Sequence, residues 1–170
     1  MKLIIILMII VVGLVLWLIH DYKRQQKHPK LLRQYRAQGL SDQDIAVFRQ
    51  TMNEAKIQIK KWENVVKTDD TLQLIEGVTG GLKSAKKLFQ LIVKNPQTAL
   101  GNHEFLYKQL PTMVELIATY EDLSSVDKLD QSLLTESQAV IRNLSEKIAK
   151  HYELELTDNL EKIKDEVENG

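Results

Sequence analysis

Residues 105–123 read FLYKQLPTMVELIATYEDL, and their apolar members recur at helical spacing with Pro111 in the middle of the run. A proline inside a helix removes a backbone donor and crowds the previous turn, at a cost of about 3 kcal/mol. Two arrangements accommodate it. If the helix holding HEFLYKQL ends at Leu110, Pro111 opens the next helix, where a missing donor costs nothing and a fixed φ helps. Alternatively, one helix continues through the proline with a kink. Either way the residue changes the chain's direction so that two apolar faces meet one core.

The flanking sequence is also helical in pattern. LSDQDI at 40–45 places Ser41 as an N-cap with Asp44 at N3, and Leu40 and Ile45 can form a staple. The helix that follows carries Ile45, Phe48, Met52, Ala55, Ile59, Trp62 and Val66 at intervals of three and four. Asp69 or Asp70 caps the next, whose apolar face is Leu72, Ile75, Val78, Leu82, Ala85, Leu88, Phe89 and Ile92, and which must stop at Asn95 before Pro96. A last helical stretch from about Val126 to Val167 runs through Leu129, Leu133, Val140, Leu144, Ile148, Tyr152, Leu156, Leu160, Ile163 and Val167, with a bend expected at YELELTD. No alternating strand pattern appears. The expected fold is all-α: a single N-terminal transmembrane helix followed by an antiparallel multi-helix bundle.

The transmembrane expectation rests on Leu3–Ile19, seventeen residues without a charge, or about 26 Å of helix. Trp17 and Tyr22 would stand at headgroup level. HDYKRQQKH offers no small-x-small cleavage site, and the absence of cysteine removes a lipoprotein signal. Residues 1–37 hold seven Lys/Arg and the single acid Asp21, whereas residues 38–170 hold sixteen Lys/Arg against twenty-two Asp/Glu. The positive-inside rule then puts the C-terminal domain in the cytoplasm of a single-pass membrane protein. The implied division is a transmembrane anchor at 1–20, a basic juxtamembrane segment at 21–38 and a cytosolic bundle at 39–170. Lys23, Arg24, Lys27 and Lys30 would touch anionic lipid headgroups. The acidic balance of the rest argues against a nucleic-acid partner.

Chemistry is sparse in the pattern. GVTGGLKS at 77–84 resembles a phosphate loop, but Leu82 stands before Lys83 where that motif needs glycine, and no strand precedes it. Gly77, Gly80 and Gly81 are better read as a weak turn or a close helix contact. Asp42 and Asp44 fall in a first helical turn, which they cap well, and not at the strand end an aspartyl-phosphate mechanism uses. His103 and His151 are isolated in sequence; a meeting of His103, Glu104 and Tyr107 with Tyr120 and Glu121 in space would not define a metal site. No catalytic, cofactor-binding or metal-ligating set is assigned, and no cofactor is expected.

Three stretches carry a resemblance: YRAQGLSDQDIAVFRQTMNEAKIQIKKWE, LFQLIVKNPQTALGNHEFLYKQLPTMVELIATYEDL and SLLTESQAVIRNLSEKIAKHYELELTDNLEKI. Together they resemble the XpaC-like family of bacterial proteins, known as 5-bromo-4-chloroindolyl phosphate hydrolysis proteins, over nearly all of residues 35–165. The most specific part runs through Phe105, Leu106, Leu110, Pro111, Thr112, Leu116 and Tyr120, the next through Gly39, Leu40, Ser41, Phe48, Arg49 and Met52. His151 stands before Tyr152 where the family often has aspartate. The resemblance implies a link to the cell envelope or its stress response and a protein partner resembling the toxic-anion-resistance (TelA-like) family. It supplies no established catalytic residues. The expected function is a membrane-anchored helical adaptor, with Phe105, Tyr107, Pro111, Thr112, Tyr120 and Glu121 as its partner or family-motif surface; the alternative is a phosphoester hydrolase acting on 5-bromo-4-chloroindolyl phosphate-like substrates.

Overall fold

The computed structural model describes residues 29–126 and 131–169. Among them are six α-helices, a short 3-10 turn and one π-helical turn. The helices are α1 (Pro29–Ala37), α2 (Asp42–Val66), α3 (Asp70–Thr79), α4 (Gly81–Lys94), α5 (Leu110–Ser124) and α6 (Gln131–Asn169). The 3-10 turn is Pro96–Ala99 and the π turn Phe105–Gln109. The all-α, multi-helix bundle is as the sequence pattern requires. The membrane anchor is not: among the described residues no helix is long and apolar enough to cross a membrane. Leu3–Ile19, Lys23, Arg24 and Lys27 lie outside the described residues. The single-pass topology and the cytoplasmic placement of the C-terminal domain therefore have no structural basis and are withdrawn.

The chain divides into two compact units between Val47 and Phe48. In the first, α1 ends on Gly39 at φ 89. Leu40 N–H bonds the Tyr35 carbonyl at 3.1 Å and Gly39 N–H the Arg36 carbonyl at 3.0 Å, the paired bonds of a glycine C-cap. Ser41 then caps α2 as expected: Asp44 N–H donates to Ser41 Oγ at 3.2 Å and Ser41 N–H to Asp44 Oδ2 at 3.0 Å. The Ser41 hydroxyl, which donates to Asp44 Oδ2 at 2.5 Å, and then Ser41 N–H hold the Asp44 carboxyl below its ordinary range.

The second unit has one apolar core. Met52, Ala55, Ile59, Trp62 and Val66 enter it from α2, Leu72 from α3, and Leu82, Ala85, Leu88 and Ile92 from α4. Phe105 and Leu106 come from the π turn, Leu110, Met113, Ile117 and Tyr120 from α5, and Ile141 and Ile148 from α6. The α2 stripe follows its predicted register. On α3, Val78 is 69% exposed and is not a core residue, because the helix ends there. The single helix expected over Asp70–Lys94 is broken at Gly80, whose φ of 66 caps α3 and opens α4. Helix α6 runs unbroken through YELELTD, where a bend was expected, and buries only Ile141, Ser145 and Ile148. Leu156, Leu160, Ile163 and Val167 stand exposed beyond the core.

Helix α6 packs along α3, α4 and α5, and at Ser145 it comes hard against the start of α4. A Cβ on Gly81 would lie 2.8 Å from Ser145 Cα, so only glycine lets α4 come this near. Around this crossing Thr79 Oγ1 and Ser145 Oγ share a hydrogen bond of 2.6 Å, and Ser145 Oγ donates to Glu76 Oε2 at 3.3 Å. Glu76 Oε1 accepts from Leu82 N–H and, at 3.4 Å, from Lys83 N–H. It thereby caps α4 across the Gly80 turn. Burial pushes the Glu76 carboxyl above its ordinary value, with the backbone donors of Leu82 and Lys83 opposing. A second tie runs from α5 to α3. Asp69 accepts from Leu72 N–H at 2.8 Å as N-cap and from Tyr120 Oη at 3.1 Å.

Two glycine substitutions read the crossing directly. Gly81→Ala is expected to destabilise by about 1–3 kcal/mol in urea melts, because the new methyl meets backbone that cannot step aside. Gly77→Ala, with nothing within 4 Å of its Cβ position, should stabilise by about 0.5–1 kcal/mol. Equal effects would show that the contact at Ser145 is slack.

The Glu76 carboxyl sets a pH dependence of the opposite sense to a surface acid. Its folded pKa is raised, so above the unfolded value the unfolded chain releases its proton first and stability falls with rising pH until the folded group also ionises. Urea melts between about pH 4 and 8 should show this decline in the wild type and a shallower one in Glu76→Gln. Identical slopes would mean that Glu76 is not held in the buried position.

Candidate functional site

Pro111 determines the local geometry from which a site is built. Leu110 N–H bonds the Phe105 carbonyl, an i→i+5 bond, and the backbone at Gln109 and Leu110 stays helical. The helix thus continues through Pro111, as the kinked alternative had it, with one turn widened just before the ring. The wide turn moves carbonyls of the preceding turn away from the pyrrolidine, which has no N–H to offer them. Around this turn Phe105, Leu106, Gln109 and Leu110 are buried, whereas Tyr107 is 64% exposed. Gln109, a polar residue, is 2% exposed.

Opposite the π turn, α6 presents Lys147, Lys150, His151, Leu154, Glu155 and Asp158 along one face, at intervals of three and four. With Glu104 and Gln109 they line a cleft of ≈ 350 Å³, inside the range of small-molecule sites, about 300–1,000 Å³. Lys147 Nζ meets Glu104 Oε1 at 2.8 Å across it, and that contact keeps the Glu104 carboxyl below its ordinary range. The His151 ring stands edge-on to Phe105 with centroids 6.3 Å apart, so a fully buried side chain orients the imidazole. Asn102, also fully buried, donates through Nδ2 to Glu155 Oε1 and to the Thr98 carbonyl, both at 2.9 Å. Glu155 is thereby fixed against the loop. Among the described residues, Gln109 Oε1 and Asn102 Oδ1 are buried acceptors with no hydrogen-bond partner.

A second hollow of ≈ 670 Å³ lies beside the α3–α4 turn, lined in part by Glu76, Lys83 and Lys86. Several of its polar groups are already engaged. Glu76 occupies the donors at the start of α4, and Lys86 reaches Glu63 at 3.1 Å beside Lys67 at 2.7 Å. Among the described residues no group of three or more His, Cys, Asp or Glu side chains is placed to hold a metal ion.

The residues singled out from sequence do not form one surface. Phe105 and Tyr120 are buried, Pro111 is half-buried, and Tyr107, Thr112 and Glu121 are exposed. Tyr107 Oη shares a 3.1 Å hydrogen bond with Thr51 Oγ1, and Tyr120 faces Asp69. His103, exposed, donates from Nδ1 to the Leu100 carbonyl at 2.9 Å and does not line the cleft. Lys30 is exposed on α1. Of these α6 residues the sequence pattern singles out only His151, as an isolated histidine, and Lys147, Lys150, Glu155 and Asp158 belong to no motif. Their spacing was legible, but the buried amide opposite them was not.

The chain belongs to the family described as 5-bromo-4-chloroindolyl phosphate hydrolysis protein, which matches residues 1–169. No curated protein and no solved structure matches it at a significant level. The family's description is of hydrolysis, and no described helix supplies the span that a membrane-anchored adaptor needs. The adaptor expectation is therefore set aside in favour of the hydrolytic alternative.

Proposed function

We propose that the protein hydrolyses phosphate monoesters of the 5-bromo-4-chloroindolyl phosphate type in the cleft between the π turn and α6. The observation that carries this reading is the placement of two ammonium groups and an imidazole on one face of α6, in a cleft that Glu104 and Gln109 also line. Family membership supplies the substrate class. A phosphate dianion entering the cleft competes with Glu104 for Lys147 and takes Lys150 as a second cation. His151 acts as general base on the attacking water. As the new oxygen–phosphorus bond forms, the bond from phosphorus to the indolyl oxygen breaks. The imidazolium then returns its proton to the leaving oxygen, giving inorganic phosphate and the hydroxyindole.

Purified full-length chain should release dye from 5-bromo-4-chloroindolyl phosphate, and His151→Gln should lower kcat/KM by about 10²–10⁴-fold. His103→Gln, outside the cleft, should leave the rate unchanged. Lys150→Met should raise KM by weakening phosphate binding. A wild type without activity, or a His151→Gln enzyme as fast as wild type, would overturn the assignment.

A further inference from the structure

Helix α6 changes its apolar face where the bundle ends. Ile141, Ser145, Ile148 and Tyr152 face inward at intervals of four, three and four. The next positions in that register are polar: Glu155, Asn159, Lys162 and Glu166. From there the apolar residues are Leu156, Leu160, Ile163 and Val167, one position on and so about 100° around the helix. All four are 47–77% exposed. A stripe left over from the core would keep the core's register, and this one does not. Its spacing of four, three and four is that of a coiled-coil seam, with Leu156 and Ile163 at d and Leu160 and Val167 at a. Because α6 is one helix through Asn169, a partner finds the seam already formed, and association bears no cost of helix nucleation.

We infer that this seam joins two copies of the chain, paired antiparallel through the ends of their α6 helices. Charge selects the occupant. Residues 153–169 carry seven Asp/Glu against two Lys, which repels an anionic surface. Yet Glu155, Asp158, Glu161, Asp165 and Glu168 fall at b, c and f, turned away from the seam. The e and g positions that border it hold Thr157, Lys164, Asn159 and Glu166. A basic partner helix would find one carboxylate on those borders, whereas a second copy meets no like charge there. With a two-fold axis between Glu161 and Lys162, Leu156 packs on Val167 of the second copy and Leu160 on its Ile163, so each residue is used in both copies. Lys164 then lies on the flank that carries Thr157 and Glu161 of the other helix, an ammonium beside a carboxylate. A parallel pair would instead set Asp165, Glu166 and Glu168 beside the same three residues of the other copy. Two heptads bury less than the roughly 1,200 Å² of a standard interface, so the pairing is weak and depends on concentration. None of the four seam residues lines the cleft, and the inference stands apart from the hydrolase reading.

The chain has no cysteine, so one introduced cysteine carries a spin label at a single place. Full-length chain with Glu161→Cys or Glu168→Cys, each labelled, is measured by pulsed dipolar spectroscopy as its concentration is raised. Antiparallel pairing offsets the two labels along the helix by ~2 Å at residue 161 and by ~20 Å at residue 168. Coupling should therefore appear at both positions, with the longer separation at 168. Leu160→Glu added to either labelled chain should abolish it and leave the urea midpoint unchanged, since Leu160 lies outside the core. Tails that stay uncoupled up to the solubility limit would overturn the inference and leave the seam to a different partner. Equal short separations at the two positions would overturn it in favour of a parallel pair. Coupling that survives Leu160→Glu would place the contact elsewhere and overturn it as well.

Discussion

A proline held inside a continuous helix sets the terms for the rest of the second unit. Pro111 brings no N–H, and its ring crowds the carbonyl one turn back. The chain does not end the helix but opens the preceding turn to an i→i+5 bond between Leu110 and Phe105. Within and beside that turn Leu106, Gln109 and Leu110 are buried, and Tyr107 stands exposed, bonded to Thr51. Phe105, fixed by the same turn, becomes the surface against which His151 is oriented. The geometry of the cleft is therefore a consequence of how one ring is accommodated.

Helix α6 gives that cleft its other wall, and its position is set at the far side of the bundle. Gly81 allows α4 to approach Ser145, while Glu76 caps α4 and accepts from Ser145. One hydroxyl thus meets α3 and the start of α4 together. Lys147, Lys150 and His151 lie within about two turns of the Ser145 crossing on the same helix, so a tight crossing fixes their presentation. Stability and the site share a helix, and a displacement at Ser145 would carry to His151 with little loss.

The fold was legible where burial follows helical period. Met52, Ala55, Ile59, Trp62 and Val66 lie inward as their spacing requires, and Ser41–Asp44 caps α2. Reading failed where one residue overrides the period. Gly80 turns left-handed and ends α3, which leaves Val78 in solvent. On α6 the period continues through Leu160, Ile163 and Val167 after the bundle has ended, so the pattern promised burial that no neighbour supplies. The cleft was hidden for a different reason. Its cations and imidazole lie on α6, some forty residues from Gln109 in sequence, and only the packing of the two helices brings them together. The apolar Leu3–Ile19 run carried the expectation of a membrane anchor, and with it the adaptor function, ahead of any chemistry.

The central claim is that the α6 cleft receives phosphate. Titrating inorganic phosphate, the product of the proposed reaction, into the full chain while following the histidine ring signals by NMR tests it without depending on turnover. The account predicts that the His151 signals move and saturate while those of His103, held on the Leu100 carbonyl outside the cleft, stay in place. His151 signals that stay in place at saturating phosphate, or that move no more than those of His103, would contradict it.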